Sequence, residues 1–208
     1  MPLHLADYTP ETGGWAIWRV TEQEDELQAL LPACGRYRNE LSRLHAAPKR
    51  RMERLAVRVL MYTCWGREEE VAYTADGRPY LKDGRWHISI SHTQGYAALC
   101  WHPAHTVGID IECLRPKALG LTARFMHPDE HAEGEALHEA LLHWSAKETL
   151  YKMLPRQEGT DFARHLFIHP FTILPQGTTC GTDRRNPARS YRLDYLVDTD
   201  FVLTWHHQ

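Results

Sequence analysis

The sequence predicts an α+β fold, with helices and short strands mixed in no regular βαβ order. Three observations carry that expectation. Two segments, about Pro48 to Tyr62 and about Pro128 to Met153, have helical character. Short runs rich in β-branched and aromatic residues lie before, between and after them. Turn dipeptides, Asp76-Gly77 and Asp83-Gly84, separate short extended pieces.

Taken in order, Trp15 to Val20 reads as a strand, and Thr21-x-x-Glu24 has the spacing of a capping box that opens a helix. Pro32 ends that helix, and a second short one is expected from about Arg36 to Leu44. Pro48 suits a first helical position, and Met52, Leu55, Ala56, Val59 and Tyr62 recur at helical spacing behind it. His87–Ser91 and Gly95–Trp101 read as a strand pair, and Thr106–Glu112 as another strand. The second long helix is expected from about Pro128 to Met153, irregular at Gly134, and the tail is strand-like again. Gly95-Tyr-Ala-Ala-Leu-Cys-Trp-His102 and Asp200-Phe-Val-Leu-Thr-Trp-His-His207 share an aromatic start, apolar residues and a Trp-His ending. Duplication of a unit of about one hundred residues accounts for the match, and so does chance agreement of two short segments.

Composition narrows the function. The chain has 208 residues, 43% hydrophobic and 25% charged, values of an ordinary globular protein with a core. Lys and Arg number 24 against 27 Asp and Glu, a net charge of −3, which excludes a surface given over to nucleic-acid phosphates. No apolar run approaches the ~20 residues that span a bilayer. The start, MPLHLADYTPETGG, lacks the basic and apolar regions of a secretory leader. Five cysteines stand far apart with no Cys-x-x-Cys pair, so reduced thiols and a cytoplasmic location are expected. Fourteen histidines include no His-Glu-x-x-His spacing, which argues against zinc.

Four features carry chemistry. In Val107-Gly-Ile-Asp-Ile-Glu112, strand alternation puts Val107, Ile109 and Ile111 on one face and Asp110 and Glu112 on the other. Two carboxylates so placed repel unless a cation or solvent separates them; they suit a hard ion such as Mg²⁺, or equally a solvated polar face. In the second long helix, Leu137, Leu141, Trp144 and Tyr151 fall on one stripe with Glu148 in its middle. A carboxylate there is partly desolvated and calls for a metal or cation. Lys152 lies one turn further on the same side, so a surface Glu-Lys pair is the alternative. Lys147 flanks Glu148, though the helical wheel turns it away. Lys49-Arg50-Arg51, with Arg54 and Arg58, sets cations at a helix N-terminus, where they oppose the macrodipole; a bound phosphate or a plain basic surface accounts for them. Ser91-His92 closes a strand beside Gly95, as an anion contact or a turn-stabilising pair; no nucleophilic triad accompanies it.

Gly77-Arg78-Pro79, Ile90-Ser91-His92, Val107-Gly-Ile-Asp-Ile-Glu112 and Trp144-Ser-Ala-Lys-Glu-Thr-Leu-Tyr-Lys152 together resemble the 4′-phosphopantetheinyl transferase superfamily, in its order and at its intervals. The length is similar to the larger, surfactin-synthetase-type subgroup. The resemblance implies a monomer of two similar α+β halves, residues 1–106 and 107–208, related by a pseudo-two-fold with the active site in the cleft between them. It implies transfer of the phosphopantetheine arm of coenzyme A to a serine of an apo-acyl or peptidyl carrier protein, with release of 3′,5′-ADP. Asp110, Glu112 and Glu148 would then hold Mg²⁺, or Mn²⁺ in its place, against the pyrophosphate. Glu148 would be the general base and Lys152 the contact on the leaving group. Arg51, Gly77, Arg78, Pro79, Ser91, His92 and Lys147 would complete the cofactor site, with Arg36 as a further candidate. Neither nucleic acid nor membrane is an expected partner. A Mg²⁺-dependent nuclease and a carrier-binding relative without turnover are the rival readings.

Overall fold

The computed structural model describes residues 3–32, 47–155, 157–185 and 189–207. The expected helix at 36–44, and Arg36 with it, lies outside the described residues. The fold is α+β. The chain divides into two compact units, Met1–Ala104 and His105–Gln208.

In the N-terminal unit, β1 (Leu3–Thr9), β2 (Gly13–Arg19), β5 (His87–Thr93) and β6 (Tyr96–His102) form an antiparallel sheet in the order β1-β2-β6-β5. A short pair, β3 (Val71–Tyr73) and β4 (Pro79–Leu81), stands apart from it. Helix α2 (Pro48–Trp65) packs on β2 and β6, burying Leu55, Ala56, Val59 and Leu60 among Trp18, Leu99 and Trp101. It runs three residues past Tyr62 and stops at Gly66, whose φ of +67° few other residues adopt. The short α1 (Glu24–Ala29) begins two residues later than Thr21-x-x-Glu24 implied. The N–H of Gln23 donates to Glu26 Oε2 at 2.8 Å, while the N–H of Thr21 is taken up by Glu22 at 3.0 Å. Strand β1 has no clear sequence signal. As an edge strand paired only with β2 it is half-exposed, so no strict apolar alternation is imposed on it.

In the C-terminal unit the sheet order is β7-β13-β12-β11-β9, all antiparallel, from β7 (Gly108–Cys113), β9 (Leu166–Ile168), β11 (Gln176–Asp183), β12 (Ser190–Val197) and β13 (Phe201–His206). Helix α3 (Ala136–Met153) lies across β7 and β13. The expected helix start at Pro128 is wrong by eight residues. Ala132–Glu133 is instead a strand, β8, parallel to β10 (Phe171–Thr172), and the Ala132 N–H donates to Glu139 Oε1 at 2.8 Å across the first turn of α3. A 3₁₀ segment (Pro116–Arg124) and a one-turn helix α4 (Phe162–His165) fill the connections. The two segments that match in sequence are β6 and β13, and each is a strand on which its unit's long helix rests.

Gly108 marks how closely α3 approaches β7. A Cβ there would meet the Thr149 carbonyl oxygen at 2.6 Å and the Met153 side chain at 2.9 Å. Gly108→Ala is therefore expected to push the helix off the strand that carries Asp110, lowering Tm by several degrees in a thermal melt; an unchanged Tm would contradict this packing. No helix among the described residues is long and apolar enough to cross a membrane. Cys64, Cys100, Cys113 and Cys180 are free thiols, and burial pushes the pKa of Cys64 up to about 12.

Candidate active site

Two strand alternations and one helical face build the site in the C-terminal unit. Thr204 of β13 pairs with Asp110, and its hydroxyl lies 2.6 Å from that of Thr149 and 2.9 Å from that of Ser145 on α3. Asp110 and Glu112 thus project from the face that α3 covers, and Asp110 retains only 4% exposure. A solvated strand face is excluded by that placement. Ser145 also donates to the Asp110 carbonyl at 3.1 Å, so the helix holds the backbone of the strand it covers.

Lys152 donates to Asp110 Oδ1 and to the Ile109 carbonyl, both at 2.8 Å. Trp144 donates its indole N–H to Glu112 Oε1 at 2.8 Å. Glu148 sits between these two residues on α3, partly buried, with no hydrogen-bond or ion-pair partner among the described residues. Its pKa is pushed up to about 7, first by burial and then by the negative charge of Asp110, with Lys152 opposing and Glu112 adding. Glu112 is pushed up to about 7 as well, by burial and by Asp110, against the Trp144 hydrogen bond and Lys152. Three carboxylates therefore feel one another's charge with a single lysine between them. Among the described residues, no three His, Cys, Asp or Glu side chains converge in metal-holding geometry. The donor chemistry nevertheless fits a hard divalent cation: all the donors are carboxylate oxygens, and burial, with their mutual repulsion added, raises two of the pKa values.

Burial and repulsion together make the cluster a pH-dependent cost to the fold. The folded-state values of Glu112 and Glu148 lie above the ordinary carboxylate value of 4.5. Their contribution is fully present below about pH 4.5 and is lost as pH rises through about 7. In metal-free buffer, wild type is expected to lose several degrees of Tm relative to Glu148→Gln between pH 5 and 7.5, with Mg²⁺ restoring much of the loss. Parallel Tm profiles for the two proteins would contradict the electrostatic reading.

Lys147 does not face the expected cofactor site. It is fully buried, and its ammonium donates to Glu130 Oε2 at 2.6 Å, the Phe125 carbonyl at 2.6 Å and the Phe162 carbonyl at 2.9 Å. All three of its donors are used within the protein, so it has none to offer a cofactor.

The N-terminal unit holds a separate cleft of about 310 Å³. Gly77, Pro79 and His92 line it, together with Arg50, Arg54 and Arg58. Arg51 is not among the lining residues: its guanidinium turns the other way, to the Glu24 carboxylate at 3.1 Å, where α1 packs on α2. Of the basic residues of this helix, Arg54 and Arg58 line the cleft, and Arg50 stands there in place of Arg51. Ser91 alternates onto the buried side of β5, whereas Ile90 and His92 face the cleft. The Arg78 guanidinium lies against Asp76, 3.1 Å away, in a turn where Gly77 takes φ +87°. Glu53 puts one carboxylate among the cations, 3.6 Å from His92.

Residues 106–205 match the family profile described as the 4′-phosphopantetheinyl transferase superfamily. The C-terminal unit belongs to the 4′-phosphopantetheinyl transferase superfamily. A 4′-phosphopantetheinyl transferase of Bacillus subtilis is 32% identical over 83 residues, a stretch that covers 36% of this chain and 37% of that relative. The superfamily match takes in β7 and α3, hence every residue of the carboxylate cluster, and ends one residue after Thr204.

Proposed function

We propose that this protein transfers the 4′-phosphopantetheine arm of coenzyme A to a serine hydroxyl of an apo-acyl or peptidyl carrier protein, releasing 3′,5′-ADP in a Mg²⁺-dependent reaction. The observation that carries the reading is the gathering of Asp110, Glu112, Glu148 and Lys152 by β7 and α3, inside the stretch that matches the superfamily. Asp110, Glu112 and Glu148 would hold Mg²⁺, which when bound neutralises charge on the pyrophosphate. Glu148, with a pKa near 7, is suited to take the serine proton as the serine oxygen bonds to the phosphorus bearing the pantetheine. The bond from that phosphorus to the ADP oxygen breaks, and the Lys152 ammonium stabilises the charge left there. Two of its three donors are used in the protein, which leaves one for the leaving phosphate. The protein is proposed to act as a cytoplasmic monomer, without nucleic acid or membrane.

The cleft of the N-terminal unit is proposed to take the 3′-phosphate of coenzyme A, with Arg50, Arg54 and His92 as its cations. Dephospho-coenzyme A should then be the poorer substrate by roughly tenfold or more in kcat/KM, since one charge-assisted hydrogen bond contributes about 1.5–3 kcal/mol. His92→Ala and Arg54→Ala should shrink that discrimination, whereas Arg51→Ala should leave it near wild type. Equal discrimination in wild type, His92→Ala and Arg54→Ala would remove these residues from phosphate binding. Hydrolysis of nucleic acid with no use of coenzyme A would replace the transferase reading by a nuclease.

A further inference from the structure

Lys147 and Glu130 form an ion pair with both side chains 0% exposed. Burying such a pair costs more than its attraction returns unless every remaining polar atom is satisfied. Here they are satisfied. Besides Lys147, Glu130 accepts the His127 N–H at 2.6 Å through Oε2 and the Ile168 N–H at 2.6 Å through Oε1. The pair therefore ties α3 to the loop before β8 and to the edge strand β9.

What Lys147 does with its other two donors is more specific. Both go to the carbonyls of phenylalanines, Phe125 and Phe162, which are 37 residues apart in the chain. The rings of those same two residues pack against Trp144, with centroids 5.2 Å and 5.5 Å away, the first edge-on. Trp144 in turn donates its N–H to Glu112. The geometry points to Lys147 as a positioning residue: by fixing the backbone of Phe125 and Phe162 it holds the two rings that clamp Trp144, and so aims the indole N–H that orients the Glu112 carboxylate. An apolar residue at 147 would fill the space without holding either carbonyl. The catalytic consequence rests on the transferase reading above; the chain of contacts does not.

The test uses Lys147→Met/Glu130→Gln, because Lys147→Met alone leaves a buried charge that endangers folding. Seven indole N–H signals are expected in a two-dimensional ¹H–¹⁵N spectrum of the whole protein, and Trp144→Phe identifies the one that belongs to Trp144. In the paired variant the Trp144 signal should move and lose protection from hydrogen exchange, as it also should in Glu112→Ala, which removes the acceptor, while Trp15, Trp18, Trp65, Trp86 and Trp101 stay in place. The Mg²⁺ concentration for half-maximal binding, read by calorimetry, should rise about tenfold. Adding Trp144→Phe to the paired variant should raise it little further, because both changes remove the same hydrogen bond. A Trp144 signal unchanged in a folded paired variant overturns the proposal, and so do additive effects of the two changes on Mg²⁺ binding. A shifted Trp144 signal in the paired variant, alongside a wild type that neither binds Mg²⁺ nor transfers phosphopantetheine, would retain the positioning role and defeat the transferase reading instead. Should the paired variant not fold, Phe162→Leu, which removes one ring and leaves the ion pair, must show the same displaced Trp144 signal or the proposal fails.

Discussion

Glu148→Gln is expected to lose roughly a hundredfold or more in kcat for carrier modification, with the fold retained. The substitution keeps the size of the side chain and removes both its charge and its basicity. A positioned general base contributes typically 10²–10⁴-fold, and a lost metal ligand adds to that. Retained folding is expected because Glu148 has no partner among the described residues to leave stranded, and because its ionised form is disfavoured where it sits. The variant should be slightly more stable than wild type above pH 7 in metal-free buffer. Near wild-type kcat in Glu148→Gln would defeat the base and ligand assignments together.

The largest effect on stability is expected from Lys147→Met. Glu130 would keep two backbone donors but lose its cation, and the Phe125 and Phe162 carbonyls would lose their donor. Breaking one side of a buried pair costs about 3–5 kcal/mol. For a chain of this length that amounts to a Tm lower by roughly 10 °C or more. Urea unfolding of wild type and Lys147→Met measures it. A loss below about 1 kcal/mol would mean that the pair is not buried as described. Burial pulls the Lys147 ammonium below its ordinary pKa while Glu130 opposes that pull, so removing Glu130 alone should also destabilise the fold.

Much of this site is legible in the sequence because it lies on regular elements. Period-two alternation put Asp110 and Glu112 on one face of β7, and the apolar stripe around Leu141, Trp144 and Tyr151 marked the side of α3 on which Glu148 sits. The wheel likewise turned Lys147 away from Glu148. It could not reveal the destination of that side chain, because Glu130 is 17 residues away in sequence and Phe125 is 22. Trp144 gave the signal of a core aromatic, and its donation to Glu112 becomes visible only when the two elements pack.

Long-range contacts also account for where the structure departs from local expectation. Residues 128–135 have no local feature that bars a helix except Gly134, and the pairing of β8 with β10, 39 residues on, overrides their propensity. Arg51 stands for the phosphate contact through its resemblance to the family's helix motif, while Arg54 and Arg58 share its helical face. In the structure Arg51 bonds to Glu24, and Arg50, Arg54 and Arg58 line the cleft, a partnership 27 residues apart that no local spacing shows. Ser91 and His92 are neighbours in sequence, yet successive residues of a strand point to opposite faces, so Ser91 is buried while His92 lines the cleft.

The carboxylate cluster of β7 and α3 is proposed to serve phosphopantetheine transfer. Incubation of the full chain with coenzyme A, Mg²⁺ and a panel of apo-carriers from fatty-acid, polyketide and nonribosomal-peptide systems, followed by intact-mass measurement of each carrier, tests it most directly. At least one carrier should gain the mass of a single phosphopantetheine on its serine, and the gain should disappear with Glu148→Gln. Folded protein that leaves carriers of all three classes unmodified with Mg²⁺ present, or a gain that survives Glu148→Gln undiminished, would contradict it.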